Sequence, residues 1–494
     1  MIVGTVARKE LLDQLSSPKF VFLFSVSTAL ILLSLYTGSA SYRAARDDYQ
    51  ATEQLARREL EAREDYNEIA RTGMKVARAP MPLSSFVGGT SSALGRSATV
   101  RPQQEPVFAP PAVAETPVLA VLGELDLGVV VRVFLSLFVL LLTYDAIAGE
   151  KEAGTLKAVL ANPVPRAQLL LGKTLGLFGT LLVAVAVPAI LGLLVMKIGF
   201  RIELTSGDWA RLGMMGVTSA LYLLAMFATG LFVSSATSRS SVAFLVLLLV
   251  WVTFVEVLPK VAPMVAARFR PAPSFASVQS DRERLQRENQ RAVMASMSTA
   301  FQAANFNSPP ASAAEASARQ ANLDAIMRRG RDSLTADLQT KVSALEEAQR
   351  NRKDAFTRLA LTVARISPAE ALSHAAATLA GTDFEMQRNW FNDLVAYRGE
   401  LERFFKGKNV EFGNMVFRVR TGGPPGAGGG NGVFFGGQPT VEKVELGDFP
   451  KFNARSESLG RSLQRAAPDL VILSLYAAIA LMLAFANFMR YDVR

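Results

Sequence analysis

Cysteine is absent from this chain of 494 residues, and histidine occurs once, at His374. The first absence excludes disulfides, thiolate nucleophiles and iron–sulfur ligation. It is compatible with either side of a bacterial membrane. The second removes any His-based triad or metal centre, so no cofactor, metal or enzymatic activity is expected of the chain itself. Phosphate-binding loops are missing too. LLLGKTLG, residues 169–176, has Gly-Lys-Thr, but the glycine needed five places earlier is Ala167. The motif also opens an apolar run instead of following a buried strand, so Lys173 is expected at lipid headgroups and not on a nucleotide. Basic residues are not interleaved with aromatics, which speaks against nucleic acid as a partner. Acids are rare within the apolar runs and stand near their ends, which tells against a proton relay or an autonomous channel.

What the chain does have is apolar sequence gathered into runs of about 20 residues, the length that crosses about 30 Å of hydrocarbon. The expected fold is an α-helical integral membrane protein. Six transmembrane helices are joined to a large, mostly helical extracytoplasmic domain that carries a small β element. Residues 1–19 read as an interfacial amphipathic helix ended by Pro18. The spans fall at 20–38, 127–148, 169–196, 212–233, 242–258 and 469–489. The first is read as a retained span, because no small-residue cleavage site follows it. Two long insertions, 39–126 and 259–468, separate spans one from two and five from six. Short connections lie at 149–168, 197–211 and 234–241, with a tail at 490–494.

Arg8, Lys9, Lys19, Lys151, Lys157, Arg166, Arg239, Arg490 and Arg494 crowd one side, against Lys197, Arg201 and Arg211 on the other. The positive-inside rule then makes both termini and the 149–168 loop cytoplasmic. Net charge is +10. Residues 259–467 hold 29 Lys and Arg against 21 Asp and Glu, which reads as a solvated helical surface.

Within the first insertion, residues 41–72 are charged and Ala-rich and predict helix. Residues 73–117 are rich in Pro, Ser and Gly and predict an extended connection. In the second, residues 332–366 and 383–405 carry helical apolar spacing, the former suited to packed hairpin helices. After Lys408 the pattern alternates, as in VEFGNMVFRVR, and a Gly-rich run at 422–437 precedes VEKVEL, predicting a small hairpin with a flexible connection. Arg132 and Glu256, near the outer ends of their spans, are expected as independent interfacial charges. His374 is expected on a surface or in packing.

The loop EKEAGTLKAVLANPVPR, residues 150–166, is the feature around which the chain is organised. Glu150 and Glu152 suit the first turn of a short helix, Leu156, Val159 and Leu160 give it an apolar face, and Pro163 ends it. Such a helix, held between two spans, could be pushed by a soluble partner, or it could be an ordinary connector.

The stretch YDAIAGEKEAGTLKAVLANPVPRAQLLLGKTLG, residues 144–176, resembles the hallmark of ABC-2-type transporter permeases. Glu150, Glu152, Gly154, Thr155, Leu156, Pro163, Arg166, Gly172 and Lys173 match it, and the N-terminal helix with Lys9 and Glu10 is similar to the family's elbow helix. Within the family the chain looks like the bacterial subgroup with two large insertions, whose relatives include permeases linked to gliding motility and to copper-site maturation. The resemblance implies a permease that works as a homodimer or heterodimer with a separate cytoplasmic ATPase. Lys9, Glu10, Glu150, Glu152, Gly154, Thr155, Leu156, Pro163 and Arg166 would form the interface to that ATPase. Two outcomes are open: export of a substrate, or a mechanical transmitter whose outer domain acts on a periplasmic partner.

Overall fold

The computed structural model describes residues 2–63, 65–90, 95–102, 104–110, 125–161, 164–271, 274–303, 312–408, 417–419, 433–435, 449–455 and 457–491. Six helices are long and apolar enough to cross a membrane: Pro18–Glu61, Leu127–Glu152, Arg166–Gly199, Ser206–Ala236, Ser240–Phe269 and Leu459–Met489. Each contains one of the expected spans. The chain divides into two units, residues 1–259 with 365–494, and residues 260–364.

In the first unit, α1 (Ile2–Leu15) is followed by α2 (Pro18–Glu61). Pro18 opens α2 at its first turn, behind the Ser17 cap whose Oγ accepts from Phe20 N at 3.1 Å. The proline both closes α1, as expected from sequence, by holding Ser17 extended, and opens α2. With 44 residues α2 is about 66 Å long, roughly twice the hydrocarbon thickness, so its charged second half continues past the apolar span. Next come α3 (Tyr66–Thr72) and strands β1 (Met74–Ala77), β2 (Ser97–Arg101) and β3 (Gln104–Phe108). The second span, α4, joins Leu127–Val129, a π-helical stretch Val130–Leu135 and Ser136–Thr143. Two short helices, α5 (Ala148–Glu152) and α6 (Thr155–Leu160), form the loop, and α7 (Arg166–Gly199) and α8 (Ser206–Ala236) follow. The fifth span, α9 (Ser240–Phe269), contains a second π-helical stretch, Val252–Val257.

The second unit holds α10 (Phe275–Ala303) and α11 (Ala313–Ala364), packed antiparallel, with Arg282 paired to Glu346 and Gly330 close to Ser296. This is the expected helical hairpin. The first unit resumes with α12 (Pro368–Ala380), α13 (Phe384–Gly407), the short antiparallel pair β4 (Phe417–Val419) and β5 (Val433–Phe435), and the last span α14 (Leu459–Met489). Most of the Gly-rich run and all of VEKVEL lie outside the described residues.

One expectation needs correction. Residues 73–117 contain a three-stranded antiparallel sheet, β1-β2-β3, with Val76 opposite Ala98 and a register shift between Thr99 and Arg101. The strands are only four or five residues long, too short for their alternation to stand out among prolines and glycines. The two insertions also share a core. Tyr66, Ile69, Val76, Ala98 and Val100 of the first share one core with Trp390, Leu394, Tyr397, Leu401 and Phe405 of α13, and with Phe449. The α13 residues recur at three- and four-residue steps, so a single stripe of the helix covers the sheet.

Candidate functional site

The loop joining α4 to α7 is fastened to the ends of the other spans. After Thr143 the α4 helix breaks, and Ser234 of α8 bridges the break: its Oγ donates to Tyr144 O (2.9 Å) and accepts from Ile147 N and Ala148 N (3.0 Å each). Lys151 donates to the carbonyls of Ser235 and Thr237, at the C-terminus of α8, where a cation is favoured by the exposed carbonyls. Glu152 accepts from Ser240 N (3.0 Å) and Ser240 Oγ (2.8 Å), at the N-terminus of α9 where an anion is favoured. Arg166 donates through Nη1 to the carbonyls of Met489 and Tyr491 (2.9 Å each), at the C-terminal end of α14. Asp145 pairs with Lys19 at the start of α2.

Glu10 and Glu150 meet at Lys173. Its Nζ lies 2.8 Å from Glu10 Oε1 and 2.6 Å from Glu150 Oε1, and its side chain is 5% exposed. This corrects the expectation of a lysine at lipid headgroups. One buried cation on α7 ties α1 to α5, and the two carboxylates satisfy it. The close approach of α1 is allowed by glycines on the same face of α7. A Cβ on Gly172 would fall 2.6 Å from Val6 Cβ, and one on Gly176 2.7 Å from Ala7 O. Small residues four apart let helix backbones meet in a membrane setting.

The remaining loop residues divide by exposure. Leu156 is 1% exposed, and Val159 and Leu160 pack beside it on the main core, so the apolar face of α6 is turned to the chain's own spans. Lys9, Glu152, Gly154 and Thr155 are exposed. Gly154 takes φ +73°, left-handed, between α5 and α6, with open space where a Cβ would stand. Thr155 Oγ1 donates to Glu150 O at 3.3 Å. Pro163 lies outside the described residues.

The opposite ends of the spans are stitched by α12. Arg132 Nη1 donates to Glu370 Oε1 at 2.9 Å, so Arg132 is not the independent interfacial charge expected from sequence. Burial pushes the Glu370 carboxyl upward, against the pull of Arg132. Each π-helical stretch offers a carbonyl beyond its own ladder: Phe254 O accepts from Ser367 Oγ, and Arg132 O accepts from Tyr222 (2.8 Å). Asp469, 1% exposed, pairs with Arg365 (2.8 Å). His374 sits half-buried in α12, the packing position anticipated for it. Burial, with Arg365 nearby, draws its pKa down to about 4. Among the described residues no cluster of His, Cys, Asp or Glu could hold a metal ion.

Sequence reading missed Lys173, Ser234, Asp145 and Glu370. For Lys173 a signal existed: a lysine between two glycines spaced four apart, at the start of an apolar run, marks a helix face that another chain segment must cover.

The family model described as "ABC-2 family transporter protein" matches residues 4–493. Two curated relatives, both called probable ABC transporter permease protein NosY, match in part. That of Pseudomonas aeruginosa is 62% identical over 40 residues, 8% of this chain and 14% of the relative. That of Stutzerimonas stutzeri is 37% identical over 124 residues, 24% of this chain and 44% of the relative. The chain thus spans less than half the length of either. With six apolar helices, a loop tied to their ends and a family match over nearly its whole length, this chain is a multi-pass membrane protein and belongs to the ABC-2 family of transporter proteins, as an ABC transporter permease subunit.

Proposed function

We propose that the chain couples ATP hydrolysis by a separate cytoplasmic ATPase to movement of its spans, and thereby to export of a substrate across a bacterial inner membrane. The loop and both termini are cytoplasmic in this reading, by the excess of Lys and Arg in the short segments of that side. The observation that carries it is Lys173. Because this one buried cation holds Glu10 of α1 and Glu150 of α5 together, a push on either short helix reaches α7 directly. Lys9, Glu152, Gly154 and Thr155 offer the exposed contact surface. Glu10, Glu150, Leu156 and Arg166 pass the force inward, with Pro163 as the expected turn into α7. Such permeases work in pairs, so a homodimer or a heterodimer with a second permease completes the assembly.

A second reading, transmission of force to an outer domain without a transported substrate, has its own support. Ser136, Thr143, Thr218 and Thr229 in the spans all bond carbonyls of their own helices, which leaves little polar lining for a hydrophilic solute. The outer domain also draws on both insertions and is stitched to the spans through α12, which suits action on a periplasmic partner.

The test is co-purification with the candidate ATPase and ATP turnover in lipid, comparing wild type with Glu152→Lys and Gly154→Pro. A proline cannot adopt φ +73°. Loss of binding or turnover in folded variants is expected; normal turnover in both would refute the docking surface. Turnover without vesicle uptake of any supplied substrate would favour the transmitter.

A further inference from the structure

A cleft lies between the 3-10 turn Pro82–Ser85 and the first turn of α13, lined by Arg78, Ser84, Arg96, Thr382 and Met386 among others. Arg78 and Arg96 are held side by side, since Arg78 N donates to Arg96 O (2.9 Å) just beyond the β1–β2 ladder. The Arg78 guanidinium stacks over the Trp390 ring, 5.1 Å from its centroid, and donates to Gln387 Oε1 (3.1 Å). Neither arginine has a carboxylate partner among the described residues. The acids next to the cleft, Asp383 and Glu457, are both engaged by Arg465. Burial and the like charge of Arg96 draw Arg78 down to about 10, the direction of a cation short of compensation. Elsewhere in the first unit, buried cations are matched: Lys173 by two carboxylates, Arg132 by Glu370, and Arg211 by the carbonyls of Leu379 and Glu457.

A half-buried guanidinium beside a second one is costly unless an anion completes the set. Two planar forks with a neighbouring hydroxyl suit the tetrahedral oxygens of a phosphate. The cleft also lies against the spans. Leu83 in the turn and Phe86 just after it are buried in the span core, and Ser85 O lies 2.0 Å from where a Cβ of Gly38 in α2 would stand. We propose that Arg78 and Arg96, with Ser84 beside them, bind a phosphate group at the end of the spans opposite the loop, either a phospholipid headgroup or a free phosphate.

The test uses the full-length chain in detergent, stripped of lipid. It would be titrated with inorganic phosphate by calorimetry. In parallel it would be exposed to phosphatidylglycerol or to a neutral glycosyl diacylglycerol, with retained lipid counted by native mass spectrometry. Wild type is expected to bind phosphate, or to retain phosphatidylglycerol but not the neutral lipid. The first result identifies a free anion as the ligand, and the second a headgroup. Arg96→Gln should weaken binding at least about tenfold, the loss of one charge-assisted hydrogen bond, while Arg96→Lys keeps most of it. Arg78→Gln should act like Arg96→Gln. If it does not fold, Arg96→Gln alone decides, because Arg78 also holds Gln387 and the Trp390 ring. Binding of neither probe by wild type, or equal binding by Arg96→Gln, would overturn the proposal.

Discussion

The two ends of the span bundle are held together by different physics. At the loop end, five of the six spans are tied by single charged side chains to the loop between α4 and α7: Lys19 to Asp145, Lys151 to the end of α8, Glu152 to the start of α9, Arg166 to the end of α14, and Lys173 to Glu10 and Glu150. At the other end, ion pairs of α12 and its neighbourhood (Arg132–Glu370, Arg365–Asp469) also tie the spans, but the sheet itself is closed against α13 by a mostly edge-to-face aromatic core of Tyr66, Trp390, Tyr397, Phe404, Phe405 and Phe449. Polar ties can exchange partners without opening a cavity. A close-packed aromatic core cannot, and moves as a body. The contrast teaches that the loop is held by contacts that can be exchanged and the sheet by packing that cannot, which suits the proposed coupling.

The comparison breaks most severely if the aromatic core proves dispensable. Phe405, 1% exposed, contacts Tyr66, Phe404 and Phe449, so Phe405→Ala should destabilise the sheet domain by about 3–5 kcal/mol. Limited proteolysis within residues 66–108 would read this, while α7 stays protected. Lys173→Met should cost about 3–5 kcal/mol locally, because two carboxylates are left facing each other in a buried site. Hydrogen exchange in α1 and α5 should rise, with the sheet unchanged. Simultaneous loosening of both ends would contradict the separation.

Acid should strike α12, where it packs on the spans, through His374. Its folded pKa, about 4, lies below the ordinary value near 6.5, so the unfolded chain binds the proton more readily. The stability it contributes is complete above about pH 6.5 and is lost as pH falls toward 4, by at most about 3 kcal/mol. His374→Gln should flatten that part of a stability-versus-pH curve. A smaller effect is expected from Gly172→Val, which drives a side chain into Val6 and should cost about 1–3 kcal/mol by shifting α1.

Much of this was legible in the sequence, but unevenly. Five of the six expected spans each lie inside one observed helix, because runs of about 20 apolar residues have no other folded use. The second, 127–148, runs past the break of α4 after Thr143. The loop was legible for the opposite reason: Glu150, Glu152, Gly154 and Arg166 are conspicuous between two such runs. What could not be read was partnership across the chain. Lys173 looks like a headgroup lysine until Glu10 is folded onto it. Arg132 looks like a snorkelling charge until α12 brings Glu370 from 238 positions away. The sheet was hidden because its strands are short and half of its core comes from α13. Local pattern reveals which face a segment must bury, not which distant segment covers it.

The most direct measurement is the footprint of the ATPase on the permease, read by hydrogen exchange of the complex in lipid with ATP or ADP. The account predicts protection of residues 149–161 and of α1 on binding, with an ATP-dependent change spreading into α7 in the wild type and halting at the loop in Lys173→Met. Protection elsewhere with the loop unchanged, or an ATP response in α7 that survives Lys173→Met, would contradict it.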